Sequence, residues 1–217
     1  MLQYKHLTIQ VDQQTLIAEQ TGDLRSHHLI GLMGPNGSGK STWLRVLAGV
    51  LAPLRGEVWY GGQQVSPKNL ASLSRIRAYI PPVLQAHWHL SARHVFELGG
   101  THLDEALVAQ LDLTSLLFRP FSHLSSGERA RVMVGHVLAR RPRIVLADEI
   151  TSPLDAYYQG VVMELLRDYA HQGHMVLLAL HQRDLVNRYC DYGLEIYHQA
   201  LRILPGNGVC LKPVKHV

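Results

Sequence analysis

Two cysteines, Cys190 and Cys210, are all that the 217 residues contain, and neither sits in a CxxC or other metal-ligand spacing. A disulfide framework, a thiol redox centre and a cysteine-held metal therefore drop out, and a reducing compartment fits. Long apolar runs are missing too: residues 175–180 fall far short of the roughly 20 needed to cross a bilayer. The opening Met1-Leu2-Gln3-Tyr4-Lys5-His6 has no apolar signal core, so a soluble, cytoplasmic chain is expected. Internal repeats and Pro/Ser/Gly-rich linkers are absent, and 47% hydrophobic with 18% charged content excludes collagen and low-complexity disorder. One globular domain over residues 1–217 is the expectation. Lysine is scarce, five against 16 arginines, in a formal net charge of +4. That charge is too mild to suggest a nucleic-acid partner, and none is expected, but the planar fork of Arg suits phosphate and other anions. The 14 histidines are scattered. His27-His28 and His87-Trp88-His89 lack the i,i+4 spacing or the Cys and carboxylate company of a metal site.

Short apolar runs alternate with helix-length segments, the pattern of an α/β unit. Residues 28–33, 143–147 and 174–180 are continuous apolar runs of strand length, as expected of central parallel strands buried on both faces. Each leads directly into polar residues. Ligands of open parallel sheets gather at the carboxyl ends of the strands, so these three ends should lie side by side around one site. Residues 7–11, 56–60 and the turn Gly61-Gly62 alternate as a small antiparallel sheet would. From about residue 84 to 123 the strand pattern fades, and segments 92–98 and 103–113 have helical spacing, which predicts a mainly helical insert.

After the first buried run comes Gly34-Pro35-Asn36-Gly37-Ser38-Gly39-Lys40-Ser41-Thr42, the GxxxxGK[ST] pattern, followed by a helical stretch over 43–48 closed by Gly49. Glycines let backbone amides turn inward around an anion, and the positive end of the new helix points to the same place. The motif assigns Lys40 to the β- and γ-phosphates of a nucleotide and the Ser41 hydroxyl to Mg²⁺, a cation that needs hard oxygen ligands. The second run ends in Asp148-Glu149. Two adjacent acids repel unless a cation is near, and bound Mg²⁺ with Lys40 would supply one. Asp148 suits the metal shell, and Glu149 is then free to orient and deprotonate an attacking water. His181, at the end of the third run, is placed to contact a γ-phosphate. Leu124-Ser125-Ser126-Gly127-Glu128 precedes a helical stretch over 129–140, and Ser125 with Glu128 has capping-box spacing.

Taken together, order and spacing resemble the nucleotide-binding subunit of the ABC (ATP-binding cassette) transporters over nearly the whole chain. Residues 34–42 resemble the Walker A loop, 124–128 the LSGGE/Q signature, 144–149 the Walker B strand, Ser152-Pro153-Leu154-Asp155 the D-loop, and His181 the switch histidine. The resemblance implies a P-loop NTPase (RecA-like) parallel-sheet core with an N-terminal antiparallel β-subdomain and a helical insert, the core being 1–82 and 128–217 and the insert 83–127. It also implies ATP and Mg²⁺ as ligands and a head-to-tail homodimer in which Ser125, Ser126, Gly127 and Glu128 of one copy face the ATP held by the other. Further implied partners are a transmembrane permease with a substrate-binding protein, and a place on the inner face of the cell membrane. Leu84, His87 and Trp88 are the candidate permease contacts. Residues 78–82, 87–99 and 184–191 are similar to the ATPases of iron-chelate, haem and cobalamin importers, an exporter or a soluble ABC ATPase being the alternatives.

Four positions depart from the family pattern. Pro82 stands where a metal-reaching glutamine is usual, and the nearest glutamine is Gln85; either Gln85 swings in or the loop works without that ligand. Val11 stands near where an aromatic often stacks on adenine, with Tyr4 as a substitute candidate. Ser126 replaces a glycine and Ile150 a proline. Arg129, Arg131, Arg140, Arg141 and Arg143 flank the signature helix and the Walker B strand, where a basic field would suit ATP, a plain solvated face being the alternative.

Overall fold

The computed structural model describes residues 1–82 and 90–204. Ten strands and seven α-helices run in the order β1 (Leu2–Val11), β2 (Gln14–Leu24), β3 (His28–Met33), α1 (Lys40–Leu47), β4 (Arg55–Tyr60), β5 (Gln63–Gln64), α2 (Leu70–Leu73), β6 (Arg77–Ile80), α3 (Ala92–Phe96), α4 (Glu105–Gln110), α5 (Ser126–Ala139), β7 (Ile144–Asp148), α6 (Ala156–His171), β8 (Met175–Ala179), α7 (Arg183–Tyr189), β9 (Tyr192–Tyr197) and β10 (Ala200–Leu204). Six strands form one sheet in the order β10-β9-β3-β8-β7-β6. All its neighbours are parallel except the β9–β10 hairpin at one edge. A four-stranded antiparallel sheet, β2-β1-β4-β5, packs beside it.

The continuous apolar runs are strands because both faces of the large sheet are covered. Along β7, Val145 and Ala147 enter a core shared with α5, α6 and α7, while Ile144 and Leu146 enter a second core under α1, β1 and β4. Trp43 on α1 is fully buried in that second core, edge-on to Tyr4 with ring centroids 5.8 Å apart. Between β6 and α5 the described residues form α3, α4 and short 3-10 turns, with one isolated bridge from Ser91 to Pro120. Phe96, Leu111, Leu113 and Phe121 from this stretch pack on α5, whose Gly135 leaves the space Phe96 fills: a Cβ there would lie 2.5 Å from its ring.

Register sets the site. Leu32 of β3 and Asp148 of β7 both pair with Ala179 of β8, so the three strand ends are neighbours at one edge of the sheet, as expected from the apolar runs. Arg140, Arg141 and Arg143 precede β7 and lie at the opposite edge. Among the described residues no helix is long and apolar enough to cross a membrane. Cys190 is buried, which pushes its thiol up to about 12 and keeps it unreactive; Cys210 lies outside the described residues.

Candidate functional site

The loop between β3 and α1 is a turn built on left-handed glycines, with φ of 78° at Gly37 and 98° at Gly39. Gly39 is also the residue before α1, and α1 starts with no side-chain cap. Its first amides are therefore available to an anion, aided by the positive helix end. Lys40 is 5% exposed, and its Nζ donates to the carbonyls of Gly34 at 2.8 Å and Pro35 at 3.2 Å, tying the two ends of the loop together. A cavity of about 650 Å³ opens over the loop, lined by Leu16, Asn36, Gly37, Ser38, Gly39, Lys40, Ser41, Thr42, Glu149 and His181. Nine of those ten residues are ones the sequence singles out. Pro35 borders the loop from the neighbouring smaller cavity instead. Leu16 arrives from β2 and packs over Gly39, where an added Cβ would sit 3.1 Å from its own Cβ. No local signal marks Leu16 in the sequence.

Across the cavity, Glu149 and His181 form a pair, His181 Nε2 to Glu149 Oε1 at 2.6 Å. Glu149 follows β7 with φ of 54°, a left-handed conformation that residues with a Cβ disfavour. The turn closed by Ser152 N–H to Glu149 O at 3.0 Å holds it there and swings the carboxylate toward β8. Asp148, one residue earlier, is fully buried. Burial raises its pKa above the usual carboxylate value, as does the charge of Glu149, while hydrogen bonds from Ser41 and Tyr79 and the charge of Arg45 pull the other way. Tyr79 on β6 donates to Asp148 Oδ2 at 3.4 Å and accepts from Arg45 on α1. Oδ1 of Asp148 has no hydrogen-bond partner. A buried, unpaired carboxylate oxygen beside the Ser41 hydroxyl is the hard donor set that Mg²⁺ takes, so the residues present fit that ion.

The signature residues stand elsewhere. Ser125 caps α5 in a full capping box, its Oγ accepting from Glu128 N–H at 3.1 Å while the Glu128 carboxylate accepts from Ser125 N–H at 2.7 Å. Those bonds and Arg119 hold the Glu128 carboxyl below its usual pKa. Gly127 abuts the D-loop, where a Cβ would come within 2.9 Å of Pro153 O. Asp155 ends that loop as the cap of α6, accepting from Tyr158 N–H at 2.9 Å. None of Ser125, Ser126, Gly127, Glu128 and Asp155 lines the 650 Å³ cavity of their own chain. Ile150 is 2% exposed and fills the core, which explains a branched side chain there.

Two expectations are corrected. Tyr4 cannot face a nucleotide, because it is only 7% exposed and packed on Trp43. The arginines do not form a basic field at the cavity: none of the five lines it. Arg131 is buried and donates to the carbonyls of Leu111 at 2.6 Å and Asp112 at 3.0 Å, its guanidinium 3.8 Å from the Tyr158 ring centroid. Arg140, Arg141 and Arg143 fail on geometry, being at the far edge of the sheet. Pro82 is exposed two residues past β6, while Gln85, Leu84, His87 and Trp88 lie outside the described residues.

A family model described as ABC transporter matches residues 18–152. The chain belongs to the ABC transporter family. Relatives within it include the cobalamin import ATP-binding protein of Halobacterium salinarum, 33% identical over 85% of this chain and 50% of the relative, so this chain spans about half of that relative's length. The hemin import ATP-binding protein of Thermobifida fusca is 33% identical over 86% of this chain and 70% of its own. The achromobactin transport ATP-binding protein of Dickeya dadantii is 31% identical over 90% and 78%. Among solved structures, an ATP binding subunit of an ABC transporter aligns with a TM-score of 0.82 at 25% identity, over 94% of this chain and 90% of that one. A nucleotide-free ATP-binding cassette from an ABC transporter has a TM-score of 0.82 at 17% identity over 95% and 92%, a likeness of fold. The ABC family fold is therefore the P-loop parallel-sheet core and antiparallel sheet described above.

Proposed function

We propose that this chain binds and hydrolyses ATP to drive import of a small metal-chelate or cobalamin-type solute through a partner permease. The observation that carries the reading is the Glu149–His181 pair, 2.6 Å apart, facing the glycine loop and Lys40 across one cavity. The loop amides of 37–42 and the Lys40 ammonium hold the β- and γ-phosphates. Asp148 and Ser41 hold Mg²⁺, which when bound offsets the phosphate charge and that of the paired acids. Glu149 takes the proton of the attacking water, and His181 keeps its carboxylate aimed and reaches the γ-phosphate. Pro82 offers no ligand, and Gln85 is the side chain assigned to replace it.

Because the signature residues do not line their own chain's cavity, Ser125, Ser126, Gly127 and Glu128 serve the ATP of a second copy, with Asp155 at the same junction. The head-to-tail homodimer closes on ATP and opens after hydrolysis. Residues 1–82 and 128–217 act as the nucleotide core, and 83–127 as a helical lobe that passes the motion to the permease through Leu84, His87 and Trp88. The chain then works on the cytoplasmic face of the membrane, with a substrate-binding protein delivering solute to the permease. Support for import comes from the import names of relatives at 33% identity. The test is ATP turnover by the purified chain and by Glu149→Gln. Loss of about 100-fold or more in the variant is expected of a removed general base; equal rates in the two, or no turnover in the wild type, would contradict it.

A further inference from the structure

The glycine loop borders a second, smaller cavity. It measures about 240 Å³ and shares Leu16, Gly37 and Ser38 with the phosphate cavity. Its other walls are Pro35, the β1–β2 hairpin at Gln14 and Thr15, and the end of β9 with its turn, Ile196, Tyr197, His198 and Gln199. β9 can come this close because Gly34 has no side chain: a Cβ there would stand 3.0 Å from Ile196 O. The turn itself is held in an unfavourable shape. His198 and Gln199 have φ of 46° and 63°, which a two-residue hairpin turn demands but which Asn or Gly would adopt at lower cost. Gln199 O accepts from Ala18 N–H at 2.9 Å, fixing the turn against β2.

What that turn presents is aromatic. Tyr197 is 41% exposed, and the exposed His198 ring stands beside it at 4.2 Å and 79°. The Arg202 guanidinium lies over the Tyr197 ring at 4.3 Å and braces it. With Leu16, Pro35 and Ile196 as apolar walls, the cavity offers rings and aliphatic surface rather than charge. At 240 Å³ it is below the roughly 300 Å³ at which pockets for whole drug-sized ligands begin, which suits one flat heterocycle. Val11 and Tyr4 line neither cavity.

We infer that the Tyr197–His198 turn is the platform for the purine base of the bound nucleotide. The base lies in the small cavity against these rings, Leu16 separates it from the phosphates, and the 650 Å³ cavity takes the triphosphate. This rests on the ATP reading above. Base stacking on an aromatic ring contributes enough that losing it weakens binding by about tenfold.

The test measures binding of Mg-ATP and of Mg-tripolyphosphate, which has phosphates and no base, to the wild-type chain and to Tyr197→Ala, Tyr197→Phe and His198→Asn. Asn suits the positive φ, so that variant removes the ring and keeps the turn. Expected are an approximately tenfold loss for ATP in Tyr197→Ala and His198→Asn, near-normal ATP binding in Tyr197→Phe, and unchanged tripolyphosphate binding in all three. Unchanged ATP binding in both ring-removing variants overturns the proposal alone. So does equal loss of ATP and tripolyphosphate, which would mean a damaged loop. A wild-type chain that binds neither ligand overturns the ATP reading and the platform with it.

Discussion

Asp148 is fully buried with Oδ1 unpaired, and burial raises its pKa despite hydrogen bonds from Ser41 and Tyr79. Holding that charge without a cation costs folding free energy of about 1–3 kcal/mol, the penalty of an unsatisfied buried polar group. Asp148→Asn is therefore expected to raise the melting temperature of the metal-free protein by about 2–4 °C per kcal/mol relieved, while turnover is lost. Thermal unfolding with a chelator present checks this, and a lower melting temperature for the variant would contradict it. The sequence made Asp148 visible because its partners at the loop are a contiguous motif. Tyr79 was not visible. It sits 69 residues from Asp148, and only the pairing of β6 with β7 brings the two together. Tyr197 and His198 were hidden for the same reason, since the loop meets them through the β3–β9 pairing.

Among the elements, α5 carries two separable demands. Its first turn must approach the D-loop closely, so Gly127→Ala, whose Cβ would lie 2.9 Å from Pro153 O, is expected to cost about 1–3 kcal/mol, as other forced overpacking does. Urea unfolding of the variant checks it; an unchanged midpoint would contradict the contact. In its middle, the buried His136 makes a 2.8 Å Nδ1 bond to Phe96 O and ties α3 to α5. Burial lowers its pKa, the Phe96 carbonyl raises it and the nearby Arg140 charge lowers it, with a net downward shift. A folded pKa below the unfolded value means that the unfolded chain takes the proton first as pH falls. Stability is then complete above about 6.5, the ordinary value, and is lost on acidification below it. The melting temperature of the wild type should fall more between pH 7.5 and 5.5 than that of His136→Gln; equal falls would refute the linkage.

Elements were legible in the sequence where burial is two-sided or a cap is local. β3, β7 and β8 are unbroken apolar runs, and the capping box of α5 is four adjacent residues. β2 and β10 were not legible. In β2 only Ile17 and Leu24 are buried, and β10 has no buried residue, so neither shows an alternating pattern. Both are held by neighbours: β2 by β1, and β10 by β9.

At the scale of the molecule, the chain carries a glycine loop lining a cavity and a signature that does not line it. Ser125 caps α5 and Gly127 stands in its first turn, yet neither borders the cavity of its own chain. The arginine excess does not close that gap, because Arg131 is spent on carbonyls and Arg140, Arg141 and Arg143 sit at the other edge of the sheet. On the proposed reading a second copy brings its own Ser125 and Gly127 to this cavity. Sedimentation of Glu149→Gln, which should bind ATP without consuming it, tests this most directly. With saturating Mg-ATP the variant is expected to move from monomer to dimer, and to return to monomer when ATP is replaced by ADP. A variant that binds ATP and remains a monomer at concentrations far above its nucleotide affinity would contradict a site shared between two copies.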